Sequence, residues 1–160
     1  MEAIRFTVIG TPQPGGSKKG FVHPHTKRVV VVDANANARP WKWAIASAAL
    51  EVKPIGEPLL DGPLRVEAYF YRQRPKSHYR ANGEVKANAP AYPTTKPDSG
   101  KLARPLFDAL TGVLWRDDSQ VVDDCTYKRY GEPARAEVAI WPLDEPEREP
   151  AETRQLALVA

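Results

Sequence analysis

Apolar and polar positions along this chain recur with two periods, and the periods divide it into strands and helices. From Leu64 to Tyr71, Val66, Ala68 and Phe70 alternate with Arg65, Glu67 and Tyr69. A period of two marks a half-buried strand, and this one is expected at the centre of a sheet. Arg5 to Ile9 alternates more weakly and stops at Gly10-Thr11-Pro12, which reads as a first strand closed by a turn. Phe21-Val22 and Val29 to Val32 flank His23-Pro24-His25-Thr26-Lys27-Arg28, the pattern of a hairpin with a basic tip. The two histidines offer metal donors, but with no third ligand nearby a plain turn is the simpler reading. Helix formers then run from Trp41 to Leu50, with Pro40 acceptable at the first helical position. A second helix, read from Leu102 at about 100° per residue, gathers Leu102, Ala103, Leu106, Phe107, Ala109 and Leu110 on one arc. Lys101, Arg104, Asp108 and Thr111 fall on the other. Gly112 stops this helix, Trp115 to Asp118 reads as a turn, and Gln120 to Val122 as a strand. Pro105 removes an internal backbone bond and kinks the helix unless the helix begins near Leu102.

With 160 residues there is room for one domain, and 42% apolar residues suffice for one packed core, so a single α+β domain is expected. Sixteen prolines predict many loops. A lone cysteine, Cys125, excludes an internal disulfide, and no Cys/His cluster offers a zinc site. The N-terminus lacks the charged-then-apolar pattern of a leader, and the longest apolar run, Val29 to Val32, is far short of the ~20 residues of a membrane span. A cytoplasmic location is expected.

Charge changes the picture further. The formal net charge is +3, yet after Leu143 five acids (Asp144, Glu145, Glu147, Glu149, Glu152) stand against Arg148 and Arg154, leaving 21 bases and 15 acids, or +6, on the rest. The chain therefore divides into a basic body over 1–143 and a Pro/Glu-rich tail over 144–160, with Leu156 to Val159 as a segment able to dock. A basic body attracts polyanions, although an ordinary solvated surface has the same composition. The irregular stretch Arg72 to Pro93 interleaves Arg72, Arg74, Lys76, Arg80 and Lys86 with Tyr79 and Tyr92, as a DNA-contacting loop does; a disordered insertion reads alike.

Candidate chemistry concentrates between Lys96 and Ser119. Asp98 precedes a helix N-terminus, where its carboxylate either caps the helix or holds a ligand. Asp117-Asp118 is either a surface turn or a second source of carboxylate. Carboxylates in two loops flanking a helix that carries Lys101 and Arg104 suit a magnesium-assisted phosphodiester cut. Mg²⁺ takes one or two carboxylates plus water and phosphate, and a nearby cation stabilises the charge that builds on phosphorus.

The pattern Lys96-Pro97-Asp98, Lys101-Leu102, Arg104, then Leu106-Phe107-Asp108-Ala109-Leu110-Thr111-Gly112, Asp117-Asp118-Ser119-Gln120-Val121-Val122 and a later Lys128 resembles the RusA family of Holliday junction resolvases, in particular its phage-borne branch. Gly16-Ser17-Lys18-Lys19-Gly20-Phe21-Val22 and Pro40-Trp41-Lys42-Trp43 resemble that branch too, so the likeness runs from about Phe6 to Leu143. It implies a mixed sheet packed against about two helices, and a homodimer presenting two active sites to a four-way DNA junction. It further implies Asp98 and Asp118 as catalytic metal ligands with Asp117 beside them, Mg²⁺ as the ion with Mn²⁺ as a substitute, and Arg104 where the family has a basic residue. Lys101 is a further candidate for steadying the phosphate. For DNA contacts the expected residues are Lys18, Lys19, Lys96, Lys101, Arg104, Lys128 and Arg129. Many members carry Asp-x-Asp where this chain has Asp98-Ser99-Gly100, so one carboxylate is missing, with Asp117 or Asp123 as candidate replacements. Two readings follow: a cutting enzyme, or a junction-binding protein that has lost catalysis. RNA binding or a small-molecule enzyme is disfavoured, since no phosphate-binding glycine loop, catalytic triad or aromatic RNA motif is present.

Overall fold

The alternation that starts at Leu64 becomes the central strand of a sheet. The structure, a computed structural model, describes residues 2–144. In chain order the elements are β1 (Ile4–Ile9), β2 (Lys18–Val22), β3 (Val29–Asp33), α1 (Ala38–Val52), β4 (Leu64–Arg72), α2 (Ser99–Leu110), β5 (Val121–Tyr130) and β6 (Arg135–Pro142). One sheet has the order β1-β6-β4-β5; its β1–β6 and β6–β4 pairs are antiparallel and its β4–β5 pair is parallel. A separate antiparallel ribbon joins β2 to β3, carrying the basic tip between them. The fold is α+β with a mixed sheet and two helices, as the sequence implied.

Both helices cover the same sheet face. Leu64, Val66, Ala68 and Phe70 of β4 are buried there against Trp41, Ile45 and Ala49 of α1 and Leu102, Leu106 and Leu110 of α2. Phe6 and Val8 of β1 and Ala136, Val138 and Ile140 of β6 complete this core. Apolar area removed from water in one contiguous cluster is the main driving force for such a layer.

Several elements differ from the sequence reading. Helix α1 starts at Ala38, so Pro40 is its third residue, where a backbone N–H would still have no intrahelical acceptor. Strand β5 runs for ten residues rather than stopping near Val122, and β6, with Ala136, Val138 and Ile140 turned inward, was not anticipated. The Pro/Glu-rich tail lies outside the described residues except for Asp144.

The helix carrying the candidate chemistry also starts early, at Ser99, which leaves Pro105 inside it. Proline has no N–H to give to the carbonyl four residues back, here that of Lys101. That carbonyl instead accepts the backbone N–H of Gly15 at 2.8 Å. The segment from Pro14 to Ser17 thus docks on the defect, closely enough that a Cβ at Gly15 would stand 2.6 Å from Pro105 Cγ. At Gly16, where φ is +84°, a Cβ would stand 2.5 Å from Arg104 Cδ. Two adjacent glycines are required because one touches a proline ring and the other holds a left-handed backbone against an arginine stem.

Gly15→Ala should therefore lower stability by about 1–3 kcal/mol through overpacking against Pro105, read as a lower urea midpoint. Gly100→Ala, at a helical position with nothing within 4 Å of the added methyl, should cause no such loss.

Candidate active site at the sheet edge

Strand β5 is an edge strand, and its parallel register against β4 decides which of its side chains meet the helices. Asp124 lies opposite Val66, Thr126 opposite Ala68 and Lys128 opposite Phe70, so these three polar residues stand on the helix-bearing face. Asp123, Cys125, Tyr127 and Arg129 stand on the other face, where Arg65 Nε is 3.7 Å from Asp123 Oδ2 and Tyr69 stacks on Tyr127 at 4.4 Å. Polar side chains on the inner face of β5 do not close against α2. The result is a cleft of about 430 Å³ lined by Gly100, Ala103, Arg104, Phe107, Asp108, Asp118 and Asp124.

Asp118 is fixed from the core. The indole of Trp115 is fully buried, and its Nε1 donates to Asp118 Oδ1 at 3.2 Å and to Thr111 Oγ1 at 3.2 Å. The Thr111 hydroxyl donates to the same Asp118 oxygen. Asp117 serves a different purpose, since its Oδ1 accepts from Ser119 N at 2.8 Å and caps the 3₁₀ turn Asp118–Gln120. Gln120 completes the cap: its Oε1 accepts from Arg116 N and Asp117 N, while its Nε2 donates to Leu60 O and Gly62 O. These bonds to Ser119, by side chain first and backbone second, hold the Asp117 carboxyl below the usual carboxylate range. Asp117 and Asp118 also share a shallow depression with Lys42, Asp108 and Thr111, where Lys42 Nζ is 3.7 Å from Asp108 Oδ2.

Asp98 stands at the other end of α2. It is the N-cap residue by backbone position, yet its carboxylate makes no capping bond. With Lys96, Pro97 and Lys101 it lines a second cavity of about 310 Å³, walled by Pro14, Gly15, Ser17, Ala34 and Asn35. Lys128 Nζ holds the irregular segment leading to it through Thr95 O at 2.8 Å, and Arg72 Nη1 holds Lys96 O at 2.7 Å. From the N-cap to Thr111, beside Asp118, α2 spans about 20 Å at 1.5 Å per residue. One chain therefore does not bring Asp98 and Asp118 together. Arg104 reaches the Asp118 cleft, while Lys101 faces the Asp98 cavity. Lys18 and Lys19 lie exposed on β2 just beyond the docked glycines. Arg129 is on the far sheet face among the rings of Tyr92, Tyr127 and Tyr69, 5.1, 5.3 and 5.9 Å away.

A family model described as endodeoxyribonuclease RusA matches residues 7–141, taking in both cavities, β4 and β5 whole and most of β6. The chain belongs to the RusA family. A protein of Bacillus subtilis (strain 168) named uncharacterized protein YqaN is similar to it, 34% identical over 142 residues that cover 88% of this chain and 96% of that protein. Membership in the RusA family makes DNA cutting at recombination junctions the class of activity to which this cleft is to be fitted.

The carboxylates that line the cleft are oxygen donors, the type a hard cation takes. Asp108, Asp118 and Asp124 all line one cleft, and above Gly100 the space is open. Among the described residues no three His, Cys, Asp or Glu side chains converge into a complete cage. Magnesium does not need one, because it keeps several waters and takes one or two carboxylates plus phosphate. Asp108 and Asp124 were not singled out by the sequence. Strand β5 shows no apolar alternation, so only the register against β4 reveals which of Asp123 and Asp124 faces the helices.

Ser119→Ala should move the Asp117 titration upward towards the ordinary carboxylate range, observable by NMR of the carboxyl carbon. The sign follows from linkage: a depressed carboxyl contributes stability above its unfolded pKa and loses it as pH falls through the folded value, so the 118–120 turn should loosen only in acid.

Proposed function

We propose that this RusA-family chain is a divalent-metal-dependent endodeoxyribonuclease that nicks four-way DNA junctions as a homodimer in the cytoplasm, with Mg²⁺ as its ion and Mn²⁺ as a substitute. The observation that carries the reading is a carboxylate, Asp118, anchored by the buried Trp115 indole and sharing a cleft with Arg104. A carboxylate and a guanidinium sharing a cleft supply a metal ligand and a phosphate contact side by side.

In this reading Asp118 binds the ion, and Thr111 and Trp115 fix the oxygen they donate to, leaving the rest of the carboxylate directed to the cleft. Arg104, its stem lying against Gly16, binds the non-bridging phosphate oxygens and strengthens that contact as charge builds in the transition state. Bound metal supplies a water of lowered pKa and neutralises phosphate charge. The bond formed is from water oxygen to phosphorus; the bond broken is from phosphorus to a bridging oxygen, which leaves with a proton.

Lys96 and Lys101 flank the entrance beside Asp98, and Lys18 and Lys19 extend the basic surface along β2. Lys128 acts by holding the 95–98 segment, and Arg129 would meet DNA only on the far face. Because α2 holds Asp98 and Asp118 apart within a chain, the pairing that brings both carboxylates to one ion is between two copies, which supports a two-fold dimer. A second reading, junction binding without cutting, is favoured by Gly100, which leaves that part of the cleft without a carboxylate.

A labelled synthetic four-way junction, incubated with Mg²⁺, Mn²⁺ or chelator, separates the two. The cutting reading requires symmetric nicks with metal alone, and Asp118→Asn should reduce them by roughly 10²–10³-fold while junction retention in a gel shift stays close to the parent's. Binding without nicks at any metal concentration would establish the second reading. Light scattering at micromolar concentration should give a particle of about twice the 17.8 kDa chain; a monomer that still nicks both strands would refute the dimer.

A further inference from the structure

Helix α1 carries large apolar side chains on the side that faces away from the core. Its 15 residues include three charged ones, Arg39, Lys42 and Glu51, and none from Trp43 to Leu50. At about 100° per residue, Trp43, Ser47 and Leu50 fall on one stripe, opposite the buried Trp41 and Ile45. A surface helix ordinarily turns charged and polar residues to solvent on that side. Here Trp43 is 63% and Leu50 57% exposed, although the Arg39 guanidinium already lies over the Trp43 ring at 5.0 Å. Past the end of the helix the row continues through Pro54 to Ile55, both exposed. Single apolar residues on a surface are ordinary, but a row of this length with no charge at its middle marks a surface that another molecule covers.

The charges at the two ends of the stripe indicate which molecule. Arg39 stands in the first turn and Glu51 in the last, and Glu51 has no ion pair among the described residues. A DNA backbone does not fit, since the stripe offers it a cation at one end and an acid at the other. A second copy of the same helix does fit. Laid antiparallel across a two-fold axis, Arg39 of each copy comes to the end where Glu51 of the other stands. The axis that sets Trp43 against Leu50 of the other copy passes between Ala46 and Ser47, whose small side chains let the helices approach closely. Lys42 lies about 100° round the helix from Trp43, towards Asp108 and the depression beside Asp118, so this pairing leaves that flank uncovered.

From this geometry we infer that the outward stripe of α1, from Arg39 to Ile55, is the surface through which two copies of this chain pair. The inference rests on the proposed homodimer and names its interface. A two-fold interface uses one patch twice and must be complementary to itself, a condition that opposite charges at opposite ends of an apolar row satisfy.

The test is sedimentation equilibrium of the full-length protein over a concentration series, with thermal melts to verify folding. Trp43→Ala and Leu50→Glu are compared with the parent, followed by Arg39→Glu, Glu51→Arg and the double reversal. Trp43→Ala should weaken the dimer roughly tenfold or more, and Leu50→Glu should leave a monomer at micromolar concentration. Arg39→Glu or Glu51→Arg alone sets like charges together at both ends and should weaken the dimer severalfold at low ionic strength. The double reversal should recover most of that loss. Arg39 and Glu51 stand about 18 Å apart along one helix at 1.5 Å per residue, so such a recovery can only arise between copies.

If the parent is a dimer and folded Trp43→Ala and Leu50→Glu pair as tightly as it does, the inference is wrong and the proposed dimer stands. A double reversal that stays as weak as the single ones also overturns it, because the partner surface is then not an antiparallel α1. A parent that is monomeric at every concentration removes the inference and the proposed dimer together. Should Leu50→Glu not fold, Leu50→Gln is read by the same criteria.

Discussion

The arrangement of this protein turns on one backbone hydrogen bond, from Gly15 N to Lys101 O. Pro105 creates the vacancy by lacking the N–H that would close on that carbonyl within the helix. Filling it from another segment converts a helix defect into a docking point. The loop that arrives packs Gly15 on the proline ring and Gly16 on the Arg104 stem, which sets the guanidinium beside the cleft. Beyond the loop, β2 carries Lys18 and Lys19 onto the same side of the molecule. A single missing donor thus ties the basic ribbon to the helix that bears the chemistry.

A second constraint is the one-sided sheet. Both helices lie on one face, and they cover β1, β6 and β4 more completely than they cover β5. An edge strand has one paired side only and can tolerate polar side chains on both faces. Asp124, Thr126 and Lys128 use that freedom on the inner face, and each has a distinct consequence. Lys128 secures the approach to α2 through Thr95, Thr126 donates to Asp124, and Asp124 enters the cleft. Site and fold are coupled here, because apolar residues at these positions would close α2 against β5 and remove the cavity.

The candidate carboxylates of this RusA-family chain differ in what holds them. Asp117 is committed to a turn and maintains its geometry through Ser119 and Gln120, whereas Asp118 is oriented from beneath by a fully buried indole. Asp98 has the backbone position of a helix cap without the bond, so its carboxylate remains directed to the Lys96 and Lys101 cavity. Adjacent acids in sequence therefore divide into scaffold and chemistry, a division set by what lies underneath each of them.

The amino-acid sequence alone determined the α+β class, the central strand at Leu64 to Tyr71, the helix ending before Gly112 and the segment in which Asp98, Arg104 and Asp118 lie. Period, glycine and proline are local signals, and a motif along one helix and turn is local too. The start of α2 at Ser99 was not legible, because Pro105 argues against a helix around it until Gly15 is known to replace the lost donor. Strand β5 was cut short and Asp124 passed over for the related reason that an edge strand with polar residues on both faces has no apolar period to read. Which carboxylates share a cleft was likewise decided by tertiary structure. The parallel register of β5 on β4 turns Asp124 inward and Asp123 outward, and the length of α2 separates Asp98 from Asp118, two facts that depend on how distant segments pair and not on spacing along the chain.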